Sequence, residues 1–426
     1  MRLPSTPRAV FVLLTAASLG AALMAQAPAG RGGQDGRSGQ DGRGGQGAGP
    51  GGRGGRGRGI AIEAGQECPP GTTLVRVNTC QAPEFPPPTI VDYRPTSSLV
   101  VEQHPVPKAK FPVVDIHSHT GPNAQTVERL IAEMDALNIR VLNNLSGGSG
   151  DALKMRTDFI KTTKYTDRFT VYANGLNGFR DVAPGYGQKA AAQLEADVKN
   201  GAIGFKIFKE TGMDTLKADG TRLKINDPEL APVWDAAARL NIPVIIHTTE
   251  PSEFFKQPDM HNERWLELAL FGDRRRYLGP PSFAELVTER DDLFRKHPKT
   301  RFISAHFGWH GSDLGRAAKL LDAYPNVTLE LAAILYDLGR QPRAAHDFFM
   351  KYQDRILFGK DTYAPTEFPY YWRVLETKDE YFDYYRDYHA FWKLYGMDLP
   401  DTVLRKVYYQ NALKVTPGLP QTGWPR

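Results

Sequence analysis

Eight short apolar, β-branched runs follow one another from Phe111 onward, separated by longer amphipathic stretches, and nothing constrains the fold of this 426-residue chain more tightly. They cover residues 113–117, 139–143, 169–174, 203–208, 243–247, 301–306, 326–331 and 356–359. Apolar runs of this length between helical patterns read as parallel strands buried on both faces, joined by βαβ crossovers. Helix-period stretches fall at residues 126–137, 188–199, 228–240, 282–297 and 314–324, with start signals at Asn226 before Pro228 and at Ser282, followed three residues later by Glu285. Two further helices, rich in Tyr and Trp, are expected at residues 370–394 and 399–413. Eight strands is the count of a closed (β/α)8 TIM barrel. A doubly wound open sheet stands as the alternative, because periodicity alone does not prove closure.

The placement of histidine and aspartate points to chemistry. Asp115-Ile116-His117-Ser118-His119 ends the first run with two histidines spaced i, i+2, which on a strand puts both side chains on one face. His247 ends the fifth run, His306 the sixth, and Asp361 follows the eighth. In a parallel barrel these ends meet at one mouth. A lone histidine at a strand end is more often a hydrogen-bonded structural residue, but four strand ends so equipped reverse that expectation. Imidazoles with a carboxylate suit Zn(II) first, and Mn(II) or Fe(II) as well. His306 is then free to take a proton, and Asp115 is placed to orient a neighbouring histidine.

With these motifs the chain resembles the amidohydrolase superfamily, in particular its amidohydrolase-related branch of metal-dependent hydrolases and non-oxidative decarboxylases, over roughly residues 111 to 415. Matching segments are Asp115 to His119, His247, Ala305-His306-Phe307-Gly308, Leu357-Phe358-Gly359-Lys360-Asp361 and Tyr409-Gln410-Asn411-Ala412. The resemblance implies a divalent metal on His117, His119, His247 and Asp361, with His306 and Asp361 as the catalytic pair acting on water or substrate. Lys360 departs from the Ser or Thr common in the family. Lys206, at the end of the fourth run, stands where two-metal members carry a carboxylated lysine; it is read here first as a cation for a substrate carboxylate, with the bridging role as the alternative. Lys209 either joins it or faces solvent.

Substrate contacts are expected from mouth loops. Residues 248–281 form the longest and read as a lid that contributes Arg264 and Trp265, while Arg274 to Arg276 are either further anion contacts or a solvated face. Trp309 and His310 follow the sixth run, with His310 either in the site or on the surface.

Ahead of the barrel the sequence changes character. Residues 1–27 combine Arg2 and Arg8, an apolar run and Ala25-Gln26-Ala27, the pattern of a secretory signal peptide; an N-terminal membrane anchor is the other reading. Residues 28–59, almost all Gly, Arg, Gln, Asp and Ser, read as a disordered linker. Residues 60–110 form a Pro-rich arm holding Cys68 and Cys80, a candidate disulfide in an exported chain. The formal net charge of +5 is carried by Arg2, Arg8 and the linker's Arg residues, which leaves residues 111–426 without a basic bias toward nucleic acid.

The expected protein is thus an exported, periplasmic or extracellular enzyme with a small-molecule substrate. No nucleic-acid partner and no stable membrane insertion after signal cleavage are expected, and homo-oligomerisation is open. Hydrolysis of an amide, ester or lactone is the first reading, and metal-dependent decarboxylation of an unsaturated or aromatic acid is the alternative. A ligand-binding barrel without catalysis is a third.

Overall fold

In the computed structural model, residues 59–389 and 391–425 are described. The proposed leader at 1–27 and all of the proposed linker except Gly59 lie outside the described residues. The chain divides into two compact units after Thr96. The first holds a three-stranded antiparallel sheet of Ile60–Ala61, Thr73–Arg76 and Thr79–Gln81, with Cys68 and Cys80 joined in a disulfide. Residues 97–110, expected to belong to the arm, fall with the second unit instead. They are tied there by the His104 amide and ring, which donate to Asp379, and by the Lys110 amide, which donates to Glu376.

The second unit is a (β/α)8 barrel. Its strands are β1 (Val113–Ser118), β2 (Ile139–Asn144), β3 (Phe169–Val171, resumed at Ala173–Asn174), β4 (Phe205–Ile207), β5 (Pro243–Ile246), β6 (Arg301–Ser304), β7 (Val327–Glu330) and β8 (Ile356–Leu357). Each pairs in parallel with the next in sequence. The ring closes where the Ile116 amide donates to the Phe358 carbonyl at 3.2 Å and the Asp361 amide donates to the His117 carbonyl at 2.6 Å. That closure removes the open-sheet alternative.

Amphipathic helices α1 (Val127–Leu137), α2 (Gly150–Thr162), α3 (Tyr186–Lys199), α4 (Ala231–Arg239), α5 (Phe283–Lys296), α6 (Leu314–Ala323), α7 (Pro342–Tyr352) and α8 (Phe368–Glu376) alternate with or follow the strands. The Ser282 and Glu285 capping box forms as the spacing requires. Asp227, not Asn226, caps the turn ahead of α4, while Asn226 donates to Asp292. The helix expected over residues 370–394 stops at Glu376. Beyond it, buried polar and aromatic contacts replace helical bonds: Asp379 accepts from Arg373 and His104, and Phe382 and Leu394 exchange backbone hydrogen bonds. Among the described residues no helix is long and apolar enough to cross a membrane.

Candidate metal centre

The strands end where the chemistry begins. Directly after β5, β6, β7 and β8 the backbone turns left-handed at non-glycine residues: Thr249 (φ 66°), His306 (54°), Phe307 (57°), Ala333 (58°) and Asp361 (81°). Such conformations cost free energy and persist only where the surroundings impose them, as around functional sites. They also explain why β6 ends at Ser304 and not at His306: the chain turns there to direct an imidazole into the mouth.

His117, His119 and Asp361 each offer a donor atom within 4.8 Å of the others, at the adjoining ends of β1 and β8. Asp361 Oδ1 lies 3.3 Å from His119 Nε2 and 3.7 Å from His117 Nε2. The other His117 nitrogen, Nδ1, donates to Glu330 Oε1 at 2.9 Å, and His119 Nδ1 meets Ser146 Oγ at 2.8 Å. His247, the fourth expected ligand, is not in this group; it contacts His306, their ring centroids 4.3 Å apart.

The hydrogen-bond network assigns the tautomers. His306 Nδ1 faces the Ala332 carbonyl at 2.9 Å and must donate, which leaves His306 Nε2 as an acceptor. His247 Nδ1, 3.2 Å from that atom, is then the donor. His247 Nε2 is left with a lone pair, buried and without a hydrogen-bond partner. Buried polar atoms are rarely left so. That atom lies 3.9 Å from Glu250 Oε2 and outside the converging group, whereas the two imidazoles and the carboxylate of His117, His119 and Asp361 are a donor set suited to a Zn(II)-type ion, so those three residues fit the expected metal.

Electrostatics prepare the same set. Burial first, and then the Lys206 ammonium, hold His117 well below the usual imidazole range. Burial and neighbouring His306 do the same for His247, and burial pushes His306 down to about 4, so all three rings are neutral ligands or bases at pH 7. Burial works against ionisation of Asp361, but its surrounding histidines, the bond to His119 first, outweigh it and hold the carboxyl well below its usual range.

Lys206 is buried with its Nζ 3.4 Å from His117 Nε2, and burial brings its ammonium down to about 8. Among the described residues no carboxylate lies within ion-pair distance of that Nζ. Lys209, in contrast, pairs with the buried Glu250 at 2.5 Å. Asp115 receives the His117 and Lys360 amides on one oxygen, so it fixes the β1 and β8 backbones and no imidazole. Lys360 turns away from the mouth to Glu367 (2.5 Å), among the rings of Phe368, Tyr371 and Tyr385.

The lid residues fall elsewhere. Arg264 is buried in an ion pair with Glu267 and donates to Tyr336 Oη at 2.7 Å, which corrects its expected role as a free anion contact. Trp265 is 39% exposed at the start of the helix Trp265–Leu270, and Arg274, Arg275 and Arg276 bond Glu267, the Leu268 carbonyl and Asp214. Trp309 stacks on His306 at 4.7 Å, whereas His310 is buried against Arg290. A cavity of about 890 Å³ opens beside Lys206 and Phe208, walled by Asn174 at the end of β3, by Phe179 and Arg180 after it and by Glu210, Thr211 and Asp214 after β4. Phe208 also packs on His119 at 5.8 Å, so the cavity adjoins the metal-binding side chains. Sequence reasoning looked for this wall in the longest loop; the signal it passed over was Asn177-Gly178-Phe179-Arg180, a turn-forming segment ahead of α3 that carries one aromatic ring and one cation.

A family model described as Amidohydrolase matches residues 114–417. Among solved structures, the chain is similar to an uncharacterized TIM-barrel protein from Bordetella bronchiseptica (17% identity, TM-score 0.43, 70% of this chain and 87% of that one). It is also similar to a 2,6-dihydroxybenzoate decarboxylase complexed with 2,6-dihydroxybenzoate (16%, 0.42, 72% and 99%). A third is a dihydroxybenzoic acid decarboxylase from Polaromonas sp. JS666 with bound manganese and an inhibitor (16%, 0.44, 68% and 85%). No curated protein matches the chain.

Proposed function

This chain belongs to the amidohydrolase family, and from that premise we propose that it is a metal-dependent hydrolase that cleaves an amide, ester or lactone. The observation that carries the proposal is the convergence of His117, His119 and Asp361 next to a neutral His306 whose Nε2 is a hydrogen-bond acceptor. A divalent ion, for which Zn(II) suits these donors best, supplies Lewis acidity to a substrate carbonyl and to water when bound by His117, His119, His247 and Asp361. His306 does the proton work. With Nδ1–H committed to Ala332, its Nε2 is the atom that, on exchanging the His247 Nδ1–H for attacking water, takes a proton from that water and returns it to the leaving group. Phe208 and Trp309 flank the histidines and restrict water there. The cavity beyond Phe208 receives the remainder of the substrate, with Lys206 and Arg180 as its cations.

One observation favours a second reading. A buried ammonium without a carboxylate partner suits a substrate carboxylate held next to the metal, which is what a decarboxylase requires. The test is to incubate Zn(II)-loaded protein with a panel of lactones, esters and amides, and separately with aromatic carboxylic acids, following acid release and CO2. Turnover of the first panel alone supports hydrolysis; CO2 from the second without hydrolysis of the first transfers the function to the lyase.

We further propose that the protein works outside the cytoplasm, supported by the leader-like start and by the Cys68–Cys80 disulfide. An intact Met1 on the exported protein, found by N-terminal sequencing, would refute signal cleavage.

A further inference from the structure

Glu330 ends β7 with its carboxylate fully buried, and among the described residues no Lys or Arg pairs with it. It accepts three hydrogen bonds from three directions: Oε1 takes His117 Nδ1–H at 2.9 Å and the His306 amide at 2.6 Å, and Oε2 takes the Ala332 amide at 2.7 Å. Burying an ionisable group is costly unless its bonds are made. Here they are made to the metal-ligand strand β1, to the turn that places His306, and to the turn after β7. Room for the carboxylate is built in at Gly359, where a Cβ would lie 2.4 Å from Glu330 Oε2 and 2.8 Å from His117 Cβ. The residue before Lys360-Asp361 is therefore glycine for the sake of a side chain on the neighbouring strand end.

We infer that Glu330 is a positioning residue for both halves of the site: it fixes the His117 tautomer so that Nε2 presents its lone pair to the metal, and it fixes the left-handed His306 backbone from which the proton acceptor projects. Carboxylates that hold a ligand histidine by its far nitrogen typically change metal affinity 10- to 100-fold when removed. Glu330→Gln keeps the shape but loses the charge and sets an amide NH2 against the Ala332 N–H or against both other donors.

The inference rests on the metal-centre reading, so two measurements separate their fates. In metal-free wild-type protein, long-range 1H–15N correlation of the imidazoles, with His117 assigned by the signal missing from His117→Gln, is expected to show the Nδ1–H tautomer. An Nε2–H or doubly protonated ring overturns the inference, whatever the metal does. In Glu330→Gln, competition with a chromophoric chelator is expected to show Zn(II) bound 10- to 100-fold more weakly, with an altered Co(II) visible spectrum. Unchanged affinity and spectrum in a folded variant overturn it. If wild type binds no Zn(II), the metal reading falls while the tautomer result still decides the role of Glu330, as it does if the variant fails to fold.

Discussion

His117 works through both of its nitrogens, one facing Glu330 and the other facing Asp361 and Lys206, and this division of one ring explains much of the site. A buried, neutral imidazole with one tautomer fixed is a better ligand than a free one, because no proton has to leave and no ring has to turn. Asp361 supplies the negative charge of the proposed ligand set. Asp361→Asn removes that charge with little change of shape, and His247→Ala removes the unpartnered lone pair. Both variants are expected to lose the bound ion, measured as metal per chain by elemental mass spectrometry, with activity reduced by at least about 100-fold. Retention of wild-type metal content in both would exclude these residues as ligands. The convergence of His117, His119 and Asp361 was legible in sequence because strand ends in a parallel barrel share one mouth, so spacing alone gathers them. Glu330 was not, since a single acid at the end of an apolar run, Val327-Thr328-Leu329-Glu330, looks like an exposed terminus until three donors are seen to converge on it. Arg264 failed in the opposite way: an arginine among aromatics in a long loop reads as a substrate contact, and only the fold shows Glu267 three residues on and Tyr336 closing on it.

Elements follow the same logic of local signal against tertiary demand. Strands were found by their apolar runs, and their ends were overestimated by one or two residues at β5 and β6, where backbone is diverted into the turns that carry His247 and His306. Helix α5 begins where its capping box says it should, because Ser282 and Glu285 satisfy exposed amides without help from the rest of the molecule. That independence gives a clean prediction: Ser282→Ala should cost about 1 kcal/mol of stability, read from chemical denaturation, and leave turnover unchanged. A loss near zero would mean that the box is decorative. Residues 377–394 show the reverse. Their Tyr, Asp and Lys content passes for a helix, but the aromatic rings pack Tyr336 against Tyr384, His389 and Trp392, and His389 reaches Glu267 in the lid at 3.3 Å. A continuing helix could not present these side chains to both the lid and the β7 turn, so packing overrides propensity there.

Across the whole molecule, buried histidines away from the metal site add to the response to acid. Burial pushes His310 down to about 3 and His389 down to about 4, so both stay neutral in the fold while the unfolded chain binds protons below about 6.5. Stability is therefore full above that pH and falls as pH drops toward 4, by about 2 kcal/mol for each histidine between pH 7 and 5. Against this, the Asp337 and Asp115 carboxyls, pushed up by burial to about 6 and about 8, hold protons in the fold that the unfolded chain does not and return about 1 and about 3 kcal/mol, while in the metal-free protein the buried, neutral His117, His247 and His306 add to the loss. The metal-free protein should accordingly melt lower at pH 5 than at pH 7, and His310→Gln should flatten the difference; a melting temperature that rises on acidification would contradict the assignment. The domain boundary makes the last whole-molecule prediction. Residues 97–110 cover no catalytic group, yet His104 gives two of the bonds to Asp379, whose side chain is 1% exposed, and Ala109 bonds the end of α1 and Asn138. A chain starting at Ser97 keeps these bonds, whereas one starting at Phe111 leaves Asp379 buried with Arg373 as its remaining side-chain partner. Stripping this carboxylate of two of its three hydrogen bonds costs about 3 kcal/mol. Calorimetry should therefore find the shorter chain melting several degrees below the longer one, and equal melting would return residues 97–110 to the arm.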